Sequence, residues 1–400
     1  MIPIEEIQQK YGVEMAVVVL ACRVHFQTAE KGELQDFIDK NSINWDKVLD
    51  ICYMHRIRML VYRIFLIVNI PDTTQQYIKE DSLHLVQRNF KQALELERIV
   101  TSLEAEGIRT IPYKGLAFSK QFFGDIVSRE SSDIDLIIRP EDLKRIDTLM
   151  IGQGYRGEFK EVLEYLGNNF QSRYKDYIMG KFLGEEHQFS VEFHWSIVEK
   201  LWLVDYQIIQ EMLYRTKGKA KILKAEVDLL DPNSHFIFIL LHHCIEDVFH
   251  SLREMIDLAQ VASQSHVQVD WEYILNTLQN MRLSNAFLMA NRLIWELFGL
   301  SLGGMREMAS LEKADKFLGR ILLAYPMNPH APFDLGLHQK RLLLRDNFLY
   351  QVRSVVSMIQ DRFRPSKQDI VNVKLPKGLF FIYGIIKPYR TFLDFFTKSK

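Results

Sequence analysis

The residues best able to do chemistry lie between Pro112 and Pro140, in the segment PYKGLAFSKQFFGDIVSRESSDIDLIIRP. Asp133 and Asp135 are separated by one apolar residue and lead into Leu-Ile-Ile, which is typical of a buried strand. Since residues i and i+2 of a strand point to the same face, the two carboxylates are expected to project side by side. Such carboxylates repel each other unless a cation lies between them, and oxygen ligands favour Mg²⁺.

A Lys-Gly pair, Lys114 and Gly115, precedes the two aspartates where a strand is expected to turn into a helix. Glycine allows close backbone approach, and a helix N-terminus offers free N–H groups to an anion. Lys114 would add a point charge to such a phosphate site. A tight turn without a ligand would use the same two residues, so both interpretations stay open.

A third carboxylate is expected from a neighbouring strand. The segment FSVEFHW, from Phe189 to Trp195, alternates apolar and polar residues, and it forms a predicted hairpin with residues 177–183. Glu192 and His194 share its polar face. Glu192 is the candidate third metal ligand or general base. His194 would orient Glu192 or contact phosphate, and a buried structural histidine is the simpler interpretation.

These motifs together resemble the nucleotidyltransferases of the DNA polymerase β superfamily. The order Lys-Gly, helix, RESSDIDLII, and then Glu-x-His-Trp is similar to a bacterial family described as uncharacterised nucleotidyltransferase. The resemblance implies two Mg²⁺ ions, replaceable by Mn²⁺, on Asp133, Asp135 and Glu192. It also implies transfer of a nucleoside monophosphate from an NTP such as ATP to an acceptor.

The resemblance assigns nucleotide contacts to five residues: Lys114, Gly115, Arg129, Ser132 and His194. Arg129 could instead pair with a neighbouring acid, and Ser132 could only shape the turn before the strand. The chain departs from most polymerase β relatives at two places. Those relatives more often have Gly-Ser where this chain has Lys-Gly, and Asp where it has Glu192.

The resemblance and the hydrophobic patterns predict an α+β fold, with a polymerase β-like core of a small mixed sheet and helices between N- and C-terminal helical regions. A chain of 400 residues, 48% hydrophobic and 25% charged, fits two or three globular domains. The predicted regions are 1–105 (helical), 106–230 (nucleotidyltransferase core) and 231–400 (helical). In the core, the predicted elements are strand 108–113, helix 115–123, strand 133–139 and helix 141–153.

A second group of chemically able residues lies in HHCIEDVFH, in the C-terminal region. His243 and Asp247 are four apart and could share a helix face. Because the H-E-x-x-H signature is absent, zinc is not expected here, and one or two of His242, His243 and His250 are expected to line the acceptor cleft. Arg253 and Asp257, also four apart, are expected to pair on the next helix.

Charge and composition bear on partners and compartment. The net charge of −1 gives no general attraction to nucleic acid, so a small-molecule acceptor is favoured and nucleic acid is not. Lys and Arg far outnumber Asp and Glu in the aromatic tail 340–400. A tail packed on the core is the first interpretation. Contact with an anionic membrane surface and guidance of a nucleic-acid acceptor are the alternatives. Three unpatterned cysteines, no signal peptide and no spanning apolar run predict a cytoplasmic protein.

Two other functions stay open. A toxin-like nucleotidyltransferase acting on tRNA or protein would share the KG…SxDxD order, and RNA that co-purifies would favour it. A catalytically inactive nucleotide-binding or scaffold protein would keep the turn and strand. A third carboxylate remote from Asp133 and Asp135 would favour the scaffold.

Overall fold

The protein is an α+β fold in which helices surround a small mixed sheet, as the sequence predicts. The computed structural model describes residues 1–199, 206–323, 335–387 and 389–390. Within them, one sheet has the strand order β1-β2-β5-β4-β3, and β6 pairs with β7 in a separate ribbon. The strands are β1 (Ile111–Tyr113), β2 (Ile134–Ile137), β3 (Tyr155–Gly157), β4 (Asp176–Leu183), β5 (Glu186–His194), β6 (Thr216–Ile222) and β7 (Ala225–Leu230).

The chain before the sheet is helical. Asn44 begins one of these helices as its sequence predicts, because the Asn44 side chain accepts a hydrogen bond from the Lys47 N–H. The last of them, 34 residues long, buries Ile99 and Leu103 against the sheet. The helices are α1 (Ile4–Tyr11), α2 (Val13–His25), α3 (Lys31–Lys40), α4 (Trp45–Met54), α5 (Arg58–Phe65) and α6 (Asp72–Ala105).

The sheet region follows the predicted order of elements with shorter strands. Strand β2 covers four residues of the predicted 133–139, since its partners β1 and β5 pair with it only there. Asp133 therefore precedes the strand. The helix predicted at 115–123 begins as an α-helix and continues as a wider π-helical turn, Ser119–Phe123. The helices here are α7 (Gly115–Phe118), α8 (Leu143–Gly152), α9 (Lys160–Leu166), α10 (Phe170–Arg173) and α11 (Tyr206–Leu213).

Helices dominate the rest of the chain. Asp231 caps the first of them by accepting a hydrogen bond from the Ser234 N–H, as the sequence predicts, and a π-helical turn, His242–Glu246, continues it. The helices are α12 (Pro232–Leu241), α13 (Leu252–Ser263), α14 (Trp271–Asn280), α15 (Ser284–Phe298), α16 (Leu311–Leu322), α17 (Leu335–Leu343), α18 (Phe348–Arg362) and α19 (Lys367–Asn372).

Two hydrophobic cores hold these elements together. One is shared by the helices of the N-terminal region and those from α12 to α16. The other lies between the sheet and α6, α8 and α9, and Tyr383 of the tail is buried in it. The tail thus packs on the sheet region, while Phe381 and Ile385 beside Tyr383 are exposed. The division at 105 and 230 stays a prediction, as does contact of the tail with a membrane surface.

Among the described helices, none combines the length and the apolar character needed to cross a membrane.

Candidate active site

The site is built on two neighbouring parallel strands. Asp135 on β2 and Glu192 on β5 are register partners, so their side chains leave the sheet side by side. His194, two residues after Glu192, points to the same face and is fully buried. Its Nε2 lies 3.0 Å from Asp135 Oδ1 and 3.2 Å from Glu192 Oε2. Both carboxylates therefore converge on one imidazole nitrogen.

Lys114 completes this buried group of charges. Its Nζ lies 3.4 Å from Asp135 Oδ1 and 4.9 Å from the centre of the Tyr113 ring. Burial opposes ionisation of Asp135, but the nearby Lys114 and the hydrogen bond from His194 outweigh it and lower the Asp135 pKa. Burial likewise opposes the charge on Lys114, and Asp135 and Glu192 reverse that effect and raise the Lys114 pKa. Both groups are thus held in their charged forms.

Asp133 is electrostatically different from Asp135. Its side chain is partly exposed and makes no ion pair or hydrogen bond with the described part of the chain. Burial raises the Asp133 pKa, and repulsion by Asp135 and Glu192 raises it further. A free carboxylate beside two others is a position where a cation would be stabilising.

The turn before α7 has an unusual backbone. Lys114 adopts φ +52°, a conformation that side-chain-bearing residues rarely take. Its N–H donates a hydrogen bond to Nε2 of His235, and the other ring nitrogen of His235 contacts Gln121 Oε1. Burial lowers the pKa of His235 to about 3, so the ring is neutral and can accept this bond. His235 therefore holds the strained turn that presents Lys114.

Gly115 is required where it lies. It has φ +35°, and an added Cβ would stand 2.8 Å from Ser131 Oγ and 3.4 Å from the Asp133 carbonyl oxygen. We expect Gly115→Ala to cost about 1–3 kcal/mol of stability and to displace the Asp133 segment, which weakens NTP binding. Urea unfolding and NTP titration would measure both effects. Adding Ser131→Ala removes the closest contact and should restore part of the binding, whereas a Gly115→Ala variant that matches wild type in both assays would contradict the close-packing argument.

Arg129 and Ser132 have partners within the protein. The buried guanidinium of Arg129 makes two contacts with Asp257 on α13, Nε–Oδ1 at 2.7 Å and Nη2–Oδ2 at 2.9 Å. The exposed Ser132 Oγ accepts a hydrogen bond from Arg56 Nη1 at 3.1 Å. A phosphate contact of either residue stays a prediction. The partner of Asp257 is Arg129, which lies 128 positions away, and the predicted partner was Arg253.

The second histidine cluster lies close to the carboxylate site. His243 Nε2 is 3.1 Å from Asp257 Oδ2, and its Nδ1 is 3.4 Å from Asp247 Oδ2. His242 Nε2 is also 3.4 Å from that oxygen. Burial and the nearby Lys114 lower the pKa of His242, so its ring is neutral.

A cleft of about 520 Å³ opens beside Ser132 and Asp247. Its walls come from the N-terminal helices, the segment before β2 and the start of α13. Four arginines line it: Arg56, Arg58, Arg88 and Arg253. A larger cavity of about 990 Å³, between the sheet region and the tail, is lined by none of the predicted site residues.

The residues present fit a divalent cation with oxygen ligands. Single ligand atoms of Asp135, Glu192 and His194 all lie within 4.8 Å of one another. In the described chain, the cations between these carboxylates are side chains of the protein, Lys114 and His194, and Asp133 stays unpaired. Asp133 is not one of this group of three, and its carboxylate would add a further oxygen ligand for Mg²⁺ or Mn²⁺, which prefer oxygen.

Three residues that position the site have no motif of their own in the sequence. Arg56 and His235 come from regions outside the predicted core, and each contacts a residue of the Lys-Gly to Asp-x-Asp segment through one hydrogen bond. Asp257 reaches Arg129 of the same segment. For His235 the sequence does offer one signal, because His235 lies one helical turn after the predicted helix start at Asp231.

Comparison with known proteins adds the family. No curated protein matches the chain. The sequence model of a family described as uncharacterised nucleotidyltransferase matches residues 41–299, well over half of the 400 residues. The match covers the Lys-Gly turn, both aspartates and Glu192, and the mixed sheet with flanking helices agrees with a nucleotidyltransferase fold. The chain belongs to the uncharacterised nucleotidyltransferase family.

Proposed function

We propose that the protein transfers a nucleoside monophosphate from an NTP to a hydroxyl or amine of a small-molecule acceptor. Asp133, Asp135 and Glu192 would hold two Mg²⁺ ions, or Mn²⁺ in their place. The observation that carries this proposal is the side-by-side register of Asp135 and Glu192 next to the unpaired Asp133. The metal would supply charge neutralisation on the phosphates and activate the attacking oxygen.

The side chains around the carboxylates have separate roles in this proposal. His194 Nε2 forms a hydrogen bond with Asp135 and lies 3.2 Å from Glu192 Oε2, so the ring keeps the two acids in place. Glu192 is more exposed than Asp135 and would accept the acceptor proton. Lys114 and the Gly115 backbone would bind the triphosphate, and Ser132 would contact it from the cleft side.

Arg129 is proposed as a positioning residue. Its guanidinium is buried and uses two nitrogens for Asp257, so it links the segment before β2 to α13. This link fixes the start of the strand that carries Asp135. We therefore infer that Arg129 acts on the nucleotide through Asp133 and Ser132.

The cleft supports a small acceptor. Its volume of about 520 Å³ lies within the usual range of small-molecule sites, about 300–1,000 Å³. Glu130 engages Arg58 and Arg88, whereas Arg253 forms no ion pair with the described residues. An acceptor with an anionic group would compensate Arg253. A tRNA or protein acceptor is the second candidate, and the inactive scaffold is disfavoured because Glu192 lies beside Asp135.

The first experiment is a thermal-shift titration of each NTP with and without Mg²⁺. A ligand at 100 times its Kd stabilises the native state by about 2.7 kcal/mol. We expect Mg²⁺-dependent stabilisation by at least one NTP, loss of it in Asp133→Asn/Asp135→Asn, and retention of it in Glu186→Gln, a control at the exposed end of β5. If no NTP stabilises the folded wild type, or if the double variant responds equally, the proposed function is wrong.

A further inference from the structure

In the cluster of His242, His243 and Asp247, one carboxylate oxygen faces two imidazole nitrogens. Asp247 Oδ2 lies 3.4 Å from His242 Nε2 and 3.4 Å from His243 Nδ1. A strong charge-assisted N–H···O bond is about 2.7–2.9 Å long, and both contacts are longer than that. Around an ion with bonds of about 2.0–2.1 Å, tetrahedral ligands lie about 3.4 Å apart. The two distances match the edge of such a polyhedron.

The backbone brings the two histidines to one aspartate in an uncommon way. Consecutive side chains of an α-helix diverge by about 100°, which would send His242 and His243 in different directions. Both belong to the wider π-helical turn, His242–Glu246, a feature frequent at functional sites. Directly after Asp247, Val248 and Phe249 both have positive φ, +57° and +47°. Each such residue costs about 1–3 kcal/mol, and strain of this kind clusters at ligand sites.

The remaining ring nitrogen of His243 has the partner that metal-bound histidines usually have. With a proton on Nε2, His243 donates a hydrogen bond to Asp257 Oδ2 at 3.1 Å. That leaves the Nδ1 lone pair directed toward Asp247. Asp257 is itself fixed by Arg129, and the whole chain of contacts is buried. His243 is therefore held in one orientation, with Nδ1 facing Asp247.

We propose that His242 Nε2, His243 Nδ1 and Asp247 Oδ2 bind one transition-metal ion, with Zn²⁺ as the best-fitting class. Two imidazoles and one carboxylate suit Zn²⁺, and three protein ligands leave a position for water or substrate. This site is separate from the oxygen-ligand site of Asp133, Asp135 and Glu192. This proposal differs from the sequence-based expectation that zinc is absent. The H-E-x-x-H motif describes two histidine ligands on a regular α-helix, whereas His242 and His243 lie on a π-helical turn.

Access to the site comes from the cleft. Asp247 lines the cleft of about 520 Å³, and His242 and Asp247 keep 21% and 16% of their side chains exposed. An ion there would lie beside the cleft proposed for the acceptor. If the proposed function holds, the open position of this ion would bind the acceptor hydroxyl. Metal binding itself does not depend on that function.

The test is metal content of the full-length chain. Protein freed of metal by a chelator is dialysed against Zn²⁺ or Co²⁺, and bound metal is measured by mass spectrometry of the elements and by visible absorption of Co²⁺. We expect about one equivalent in wild type and in the control His187→Ala, an exposed histidine of β5. His242→Ala and Asp247→Asn should bind at least tenfold more weakly. Circular dichroism and thermal unfolding of each variant show whether it remains folded.

Two results would overturn the proposal. The first is a folded wild type that binds no more Zn²⁺ or Co²⁺ than His242→Ala. The second is tight binding that survives His242→Ala but is lost in Glu192→Gln, because the ion would then lie among Asp135, Glu192 and His194. Neither result depends on nucleotide binding, so failure here is distinguishable from failure of the nucleotidyl-transfer proposal.

Discussion

Asp133→Asn is expected to make the ligand-free protein more stable and the enzyme inactive. Asp133 has no partner among the described residues, and it is repelled by Asp135 and Glu192. Removing its charge relieves that repulsion and should raise the free energy of unfolding by about 0.5–2 kcal/mol. The same change removes a proposed metal ligand, so nucleotidyl transfer should fall by at least about 10³-fold.

The stability gain should depend on pH in a defined direction. The pKa of Asp133 is raised in the folded state, so between its unfolded and folded pKa the native protein binds more protons. The contribution of the Asp133 carboxyl to wild-type stability is therefore present at low pH, and it is lost as the pH rises through the folded-state pKa. The advantage of Asp133→Asn should be largest above the folded pKa and vanish below the unfolded pKa.

Urea unfolding of wild type and Asp133→Asn at several pH values measures this difference. Glu185→Gln, at an exposed turn residue, removes a charge outside the site and should show no comparable gain. Mg²⁺ with NTP should stabilise wild type and leave Asp133→Asn unchanged. A variant that is destabilised at neutral pH, or that keeps the Mg²⁺ response, would contradict the role given to Asp133.

The parts of the site that follow from local sequence were predictable. The Asp-x-Asp spacing, the alternation around Glu192 and the hairpin signals all act within a few residues, and they place Asp135 and Glu192 each on a strand. Helix starts at Asn44 and Asp231 are equally local, because a capping side chain bonds a backbone N–H three residues on. The family resemblance supplied the order in which these pieces form one sheet.

The long-range partners were not predictable for a physical reason. A buried charge needs a partner, but the sequence does not say which element delivers it. Arg129 finds Asp257 only because α13 packs beside the segment before β2. The i, i+4 rule favoured Arg253 for Asp257, and tertiary packing decided otherwise. The π-helical turn at His242–Glu246 likewise has no sequence signature, since its widening depends on what the helix packs against.

Arg129→Met is expected to cause the largest loss of stability among the substitutions considered. It leaves Asp257 buried with His243 as its one remaining partner in the described chain, and uncompensated buried charges cost about 3–5 kcal/mol. Asp257→Leu likewise leaves the buried Arg129 guanidinium without its carboxylate partner. Each single variant loses the same ion pair, so the sum of their stability losses includes that pair twice. The double variant Arg129→Met/Asp257→Leu should therefore lose clearly less stability than this sum.

Urea unfolding of wild type, both single variants and the double variant gives the four free energies of a double-mutant cycle, and from these the coupling energy of Arg129 and Asp257. Arg139→Met is the matched control, because its ion pair with Glu141 is long and exposed and should contribute little. If Arg129 chiefly bound phosphate, its replacement would leave stability nearly unchanged and raise the KM for the NTP. A coupling energy near zero together with a raised KM would transfer Arg129 from a positioning role to the nucleotide site. A large coupling energy would instead mean that the Arg129–Asp257 ion pair holds the segment before β2 against α13, where Asp257 also contacts His243 of the histidine cluster.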